Sequence, residues 1–159
     1  MSDEPLGESR KPNSKPTAAA VRHSTRIWLV DDQQHFRESC ADALESVHGF
    51  TCDGQFASAE ELITALQRSS APDVVLLEHG LPGMNGIAAV KIIKSCSPPT
   101  LVFLLSAYKS HRHAAEALAG GASGYFGKSE PLEAVVVAMR VALRGREAPT
   151  GGSTKQSLI

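Results

Sequence analysis

Three short apolar runs recur along the chain at 27–30, 74–77 and 101–105, and each is followed by a stretch whose apolar residues fall at helical spacing. A strand with no polar face must be covered on both sides, which an antiparallel sheet open to water cannot provide. The alternation therefore predicts an α/β fold in which central parallel strands lie between helices. Two mixed segments, 50–56 and 123–126, alternate apolar with polar or glycine residues and suit strands nearer the sheet edges.

The intervening stretches carry helix signals. Phe36, Cys40, Ala43, Leu44 and Val47 share a face and stop before Gly49, and Ser58-Ala59-Glu60-Glu61 forms a capping box ahead of Leu62, Ile63 and Leu66. Residues 86–96 place Ile87, Val90 and Ile93 together before Pro98-Pro99 ends the pattern. An Ala- and His-rich, weakly apolar helix is expected over 110–119, closed by Gly120-Gly121. Pro131 precedes a stripe of Leu132, Val135, Val136, Met139 and Leu143. Five strands alternating with five helices predict a doubly wound parallel sheet joined by right-handed crossovers.

The folded part is expected at 26–146. Residues 1–25 hold Pro5, Gly7, Pro12, Pro16 and many charges with few large apolar side chains, so they are read as a disordered tail. Residues 147–159 are read as a flexible C-terminal tail. Acidic Asp3, Glu4 and Glu8 stand where a signal peptide needs positive charge, and no stretch approaches the ~20 apolar residues of a membrane span. A net charge of -1 gives no global attraction to nucleic acid or to an anionic membrane. Cys40, Cys52 and Cys96 show no C-x-x-C spacing and match no zinc pattern, which points to a reducing, cytoplasmic setting.

In an open parallel sheet, ligands bind beyond the carboxyl ends of the strands. There the sequence places Asp31-Asp32 after the first strand, Glu78 at the end of the third, Ser106 at the end of the fourth and Lys128 after the fifth. Carboxylate oxygens suit a hard cation such as Mg²⁺, and a lysine among them offsets their mutual repulsion. His79 adjoins Glu78 and is read as an ordinary loop residue in preference to one that modulates the site, and His111 and His113 as solvated helix surface because residues two apart do not share a helix face. His35 is placed on the first turn of the first helix. Trp28, Cys40 and Cys52 are assigned to the core, and Cys96 to a helix end.

The stretch Val30-Asp31-Asp32, the block 73–86 (DVVLLEHGLPGMNG), Leu104-Leu105-Ser106-Ala107 and the run 121–128 (GASGYFGK) together resemble the receiver domain of two-component response regulators. The loop LPGMNG and the run GASGY are most similar to receivers that precede helix-turn-helix output domains. The resemblance implies a flavodoxin-like receiver fold with strand order 2-1-3-4-5. It also implies a Mg²⁺ site and phosphoryl transfer from a histidine kinase to an aspartate after the third strand. By position it assigns metal contacts to Asp31, Asp32, the acceptor residue and the main chain of Gly80. Lys128 matches the lysine that contacts the phosphoryl oxygens, and Ser106 and Tyr125 match the hydroxyl and aromatic members of the conformational switch. Lys128 is followed by Ser129 where receivers more commonly have proline, so the family's loop geometry does not carry over there.

Glu78 departs from the pattern, since it occupies the acceptor position. Its carboxylate lies about 1.5 Å further from the backbone than that of aspartate, and a misplacement near 1 Å can cost ~10²-fold in rate. The expectation is therefore slow or absent phosphorylation, with weak Mg²⁺ binding still allowed. Glutamate mimics the phosphorylated state only in part, bringing one negative charge where a phosphoryl group brings ~1.5–2. Only 13 residues follow Arg146, against roughly 50–60 for a helix-turn-helix module. The length thus predicts a stand-alone receiver-like protein, not itself an enzyme, that acts by protein–protein contact with no nucleic acid bound through this chain. The expected contact surface is the 110–119 helix, the 123–126 strand and the 130–145 helix, open to a histidine kinase, another signalling protein or a second copy in a homodimer. The alternative is a conventional Mg²⁺-dependent phosphoacceptor. A flavodoxin-type cofactor carrier shares the fold but would need a Ser/Thr/Gly-rich phosphate cradle where the chain has Asp31-Asp32-Gln33-Gln34-His35.

Overall fold

The computed structural model describes residues 23–147, so the tails predicted at 1–25 and 147–159 lie almost wholly outside the described residues. Elements alternate without exception: β1 (Thr25–Val30), α1 (Gln34–Glu45), β2 (Phe50–Phe56), α2 (Ala59–Arg68), β3 (Val74–Glu78), α3 (Gly86–Cys96), β4 (Leu101–Ser106), α4 (His111–Ala119), β5 (Gly124–Gly127) and α5 (Leu132–Glu147). All strand pairs are parallel and the sheet runs β2-β1-β3-β4-β5, as expected. The fifth strand and the fifth helix begin one and two residues later than the sequence pattern suggests.

Successive side chains of a strand point to opposite faces, and the apolar runs use this to feed two cores. Trp28, Val30, Val75, Leu77, Val102 and Leu104 pack beneath α2, α3 and α4, with Leu62, Val90, Ile93 and Ala117 supplied by those helices. Ile27, Leu29, Val74, Leu76, Phe103 and Leu105 face the other way, onto Cys40 and Leu44 of α1 and Val135 and Met139 of α5. Every residue of β3 is buried, which is why its sequence has no polar side chain before Glu78.

The edge strand β2 holds a feature that composition alone does not reveal. The register with β1 skips a residue, from Ile27 opposite Cys52 to Trp28 opposite Gly54, so Asp53 is the extra residue of a bulge. Its carboxylate accepts from the Trp28 indole N–H at 2.9 Å and from Arg26 Nε at 2.6 Å. Gly54 lies against the indole so closely that a Cβ there would come within 2.4 Å of it. The bulge thus explains how a large amphipathic ring sits 4% exposed in an inner strand with its N–H satisfied. Cys52, expected in the core, packs against the cluster that holds Ile27 and Phe50 but is only half-buried.

Helix boundaries follow their caps. Ser58 Oγ accepts from the Glu61 N–H, while the Glu61 carboxylate reaches back to the Ala57 N–H rather than to that of Ser58. Asn85 and Ser110 cap α3 and α4 in the same way, accepting from the N–H groups of Ala88 and His113. No helix among the described residues is long and apolar enough to cross a membrane.

Candidate functional site

The carboxyl ends of β1, β3, β4 and β5 open onto one cavity of about 350 Å³, lined among others by Asp32, Glu78, Ser106, Tyr108 and Lys128. Main-chain bonds continue past the strand ends and fix the residues that follow. The Asp31 N–H donates to Phe56 O, the His79 N–H to Leu105 O and the Lys128 N–H to Ser106 O, at 3.0, 2.7 and 2.8 Å. The loop after β3 folds back on itself, with the Gly86 N–H on the His79 carbonyl at 2.8 Å. Only glycine fits at 86, since a Cβ would stand 2.5 Å from the Glu78 carbonyl oxygen.

Lys128 sits at the centre of the charge cluster. Its ammonium lies 2.7 Å from Asp31 Oδ2 and 2.5 Å from Glu78 Oε2, and the three side chains are 13%, 5% and 6% exposed. Apart from the ammonium, neither buried oxygen has a hydrogen-bond partner among the described residues. The Phe36 ring lies 4.3 Å below the same nitrogen, adding a cation–π contact. Burial pushes the Lys128 pKa down, but the hydrogen bonds it donates to Asp31 and Glu78 outweigh this and hold the lysine above its ordinary value.

The remaining carboxylate oxygens are also engaged. Asp31 Oδ1 accepts from the Gln33 N–H and Glu78 Oε1 from the Gly80 N–H, each at 2.8 Å. The extra methylene of Glu78 lets one carboxylate span its own loop on one side and Lys128 on the other. Asp32 is exposed.

A family model for the response regulator receiver domain matches residues 27–140. The chain belongs to the receiver domain family. Among curated relatives it is 35% identical over 127 residues to the probable transcriptional regulatory protein NarL of Mycobacterium tuberculosis, covering 77% of this chain and 56% of the relative. It is 32% identical over 120 residues to the uncharacterized transcriptional regulatory protein YxjL of Bacillus subtilis, covering 76% and 55%. The chain thus spans about half the length of the curated relatives it matches. Among solved structures, a LuxR-family two-component response regulator from Aurantimonas superposes with a TM-score of 0.71 at 30% identity, covering 76% of this chain and 86% of that one.

Receiver domains in general bind Mg²⁺ at the phosphorylation site, and the resemblance assigned that role to Asp31, Asp32, Glu78 and Gly80. An ion there would meet Asp31 and Glu78 already paired with Lys128. The four oxygens of Asp31 and Glu78 are occupied by one ammonium and two main-chain N–H groups, while the exposed Asp32 lines the same cavity as Glu78 and Lys128. Among the described residues no group of three or more His, Cys, Asp or Glu side chains is placed to hold a metal.

Ser106 and Tyr125, to which the resemblance assigns the switch, have partners that it does not supply. Ser106 is buried and its Oγ is tied to its own loop, donating to Tyr108 O at 2.9 Å and accepting from the Tyr108 N–H at 3.2 Å. Tyr125 lies inward at 7% exposure, and its hydroxyl shares a hydrogen bond of 3.0 Å with His79 Nδ1. His79 in turn packs edge to face on His113 of α4, with centroids 4.5 Å apart. Burial, then the charge of His113, lower the His79 pKa and favour the neutral ring.

These contacts correct two readings, since His79 is not an ordinary loop residue and His113 is not solvated helix surface. His111 is exposed, as expected. The adjacency of His79 to Glu78 was the one available signal, but its partner lies 34 residues away on another element, which spacing along a single helix cannot reveal. Glu130 was also missed. It accepts from the Gly127 N–H and pairs with Lys109 at 3.2 Å, so an acid closes the loop after Lys128, one residue beyond the position where proline is common in the family.

Proposed function

We propose that this receiver works as a phosphorylation-independent signalling module, not an enzyme, that acts through protein contact. The observation that carries the reading is the closed state of Glu78, with Oε2 on Lys128 and Oε1 on the Gly80 N–H. Phosphoryl transfer to a carboxylate needs a free, positioned oxygen and positive charge to spare for the phosphoryl group. Here the lysine is already neutralised by two carboxylates and the acceptor oxygens are engaged. Any Mg²⁺ must compete with the buried ammonium for the same oxygens, so its affinity is weak.

The surface offered to a histidine kinase or another signalling protein is the face of α4, β5 and α5, where Leu118, Val137 and Val141 are exposed. Its geometry is set by a receiver whose aromatic switch already points inward. Three free cysteines, one of them exposed, suit a reducing cytoplasm.

The test is incubation with a small acyl-phosphate donor and Mg²⁺ followed by intact mass measurement, with Glu78→Asp in parallel. The expected result is no adduct on the natural protein and a phosphoryl adduct on Glu78→Asp, whose shortened side chain cannot span both partners. An adduct on the natural protein at a rate like that of Glu78→Asp overturns the reading in favour of a conventional phosphoacceptor.

A further inference from the structure

In a receiver, an inward aromatic on β5 is expected to be coupled to the hydroxyl at the end of β4. In this chain that hydroxyl is committed elsewhere, because Ser106 Oγ both donates to and accepts from the main chain of Tyr108. What meets the Tyr125 hydroxyl is the imidazole of His79, at 3.0 Å from Nδ1. The rings lie edge to face at 5.9 Å, so a packing contact accompanies the polar one.

The chain of contacts continues onto α4. His113 stands at 81° to the His79 ring with centroids 4.5 Å apart, and its Nδ1 is buried with no hydrogen-bond partner among the described residues. Lacking a polar anchor at that atom, the ring is placed by its packing on His79. One loop residue therefore touches both the aromatic of β5 and the helix beside it. Its own main chain is fixed on both sides, with the N–H on Leu105 O and the carbonyl on the Gly86 N–H. A side chain on so constrained a backbone can act as a rigid stop.

We propose that His79 is a positioning residue that latches Tyr125 inward and, through His113, ties the loop that follows Glu78 to α4. The latch goes beyond the phosphorylation-independent reading, since it holds whether or not Glu78 accepts a phosphoryl group. It gives this receiver a fixed α4–β5 surface through a contact that does not involve Ser106.

The two tyrosines of the chain make the latch measurable, because Tyr108 is 88% exposed and Tyr125 is 7% exposed. Acetylation of tyrosine hydroxyls by N-acetylimidazole, read peptide by peptide by mass spectrometry, reports Tyr125 with Tyr108 as internal reference. Replacing His79 by Phe keeps a ring but removes the hydrogen bond, and is expected to raise Tyr125 reactivity about five- to tenfold relative to Tyr108. His79→Gln keeps a polar group within reach and retains most of the protection. Cys40, buried beneath α1 on the opposite face of the sheet, stays unreactive to iodoacetamide in both variants. Unchanged Tyr125 reactivity in His79→Phe overturns the latch. So does an equal rise in both variants, or a rise matched by exposure of Cys40, since either reflects general loosening.

Discussion

Replacing Lys128 by methionine keeps the length and packing of the side chain and deletes one charge. The structure predicts a large effect. Asp31 and Glu78 are 5% and 6% exposed and meet the same ammonium at 2.7 and 2.5 Å, so the variant leaves two buried carboxylates facing each other. Removing one partner of a buried ion pair typically costs about 3–5 kcal/mol, because the residual charge is uncompensated. The loss of two pairs at once puts Lys128→Met at the upper end of that range. A domain of this size shifts in Tm by roughly 3–5 °C per kcal/mol, which gives a fall of about 15–25 °C. The comparison is Lys109→Met. Lys109 pairs with Glu130 at 3.2 Å with side chains 50% and 35% exposed, and such pairs contribute about 1 kcal/mol or less. The assay is urea unfolding followed by Trp28 emission at pH 5 and pH 8. In Lys128→Met the folded state relieves the repulsion by taking up a proton that the unfolded state does not need, so its stability rises as the pH falls. The variant should therefore be less destabilised at pH 5 than at pH 8, and adding Glu78→Gln should recover part of the loss at pH 8. A cost for Lys128→Met no larger than that of Lys109→Met, or one independent of pH, would refute the claim that the ammonium neutralises a buried pair.

The cysteines should separate by environment: burial raises Cys40 to about 12 and Cys52 to about 11, so at pH 8 neither offers appreciable thiolate, while Cys96 is exposed. Iodoacetamide is expected to add one group quickly, at Cys96, with the other two labelled only after unfolding; rapid labelling of Cys40 would contradict the packing of α1 on the sheet. At the bulge, Gly54→Ala puts a Cβ 2.4 Å from the Trp28 indole, an overpacking expected to cost about 1–3 kcal/mol. The change should appear both in the urea midpoint and in the emission of the single tryptophan, and unaltered emission would show that the ring does not sit against the bulge.

The fold was legible because the strongest constraint was local. Apolar runs without a polar face demand two covered sides, and the runs at β1, β3 and β4 have both faces filled. Even the mixed composition of 50–56 marked β2 as an edge. What remained hidden there was the bulge, since Asp53 reads as a polar residue at an edge until its carboxylate is seen to satisfy both Trp28 and Arg26. Strict alternation would also put Phe56 on the face of Phe50 and Cys52, whereas the extra residue turns it to the opposite core.

At the site, residue types and strand ends were legible, but the allocation of partners was not. Reading Asp31, Asp32 and Glu78 as a cation site treats each carboxylate as free, and treats Lys128 as a separate charge opposite them. Two of the three, Asp31 and Glu78, are instead paired with Lys128. With the ammonium within 2.7 Å of two carboxylates, a hard divalent cation would have to displace a charge already desolvated there, at the cost of re-exposing or stranding it. The methylene that distinguishes glutamate from aspartate enables this allocation. It carries Oε2 to Lys128 while Oε1 still reaches the Gly80 N–H, so a single carboxylate takes up the lysine and a loop amide together. The same loop carries His79, whose imidazole stands against Tyr125 and α4. Glu78 thus braces the loop that follows it, and Glu78→Asp should both free a carboxylate oxygen and loosen that loop.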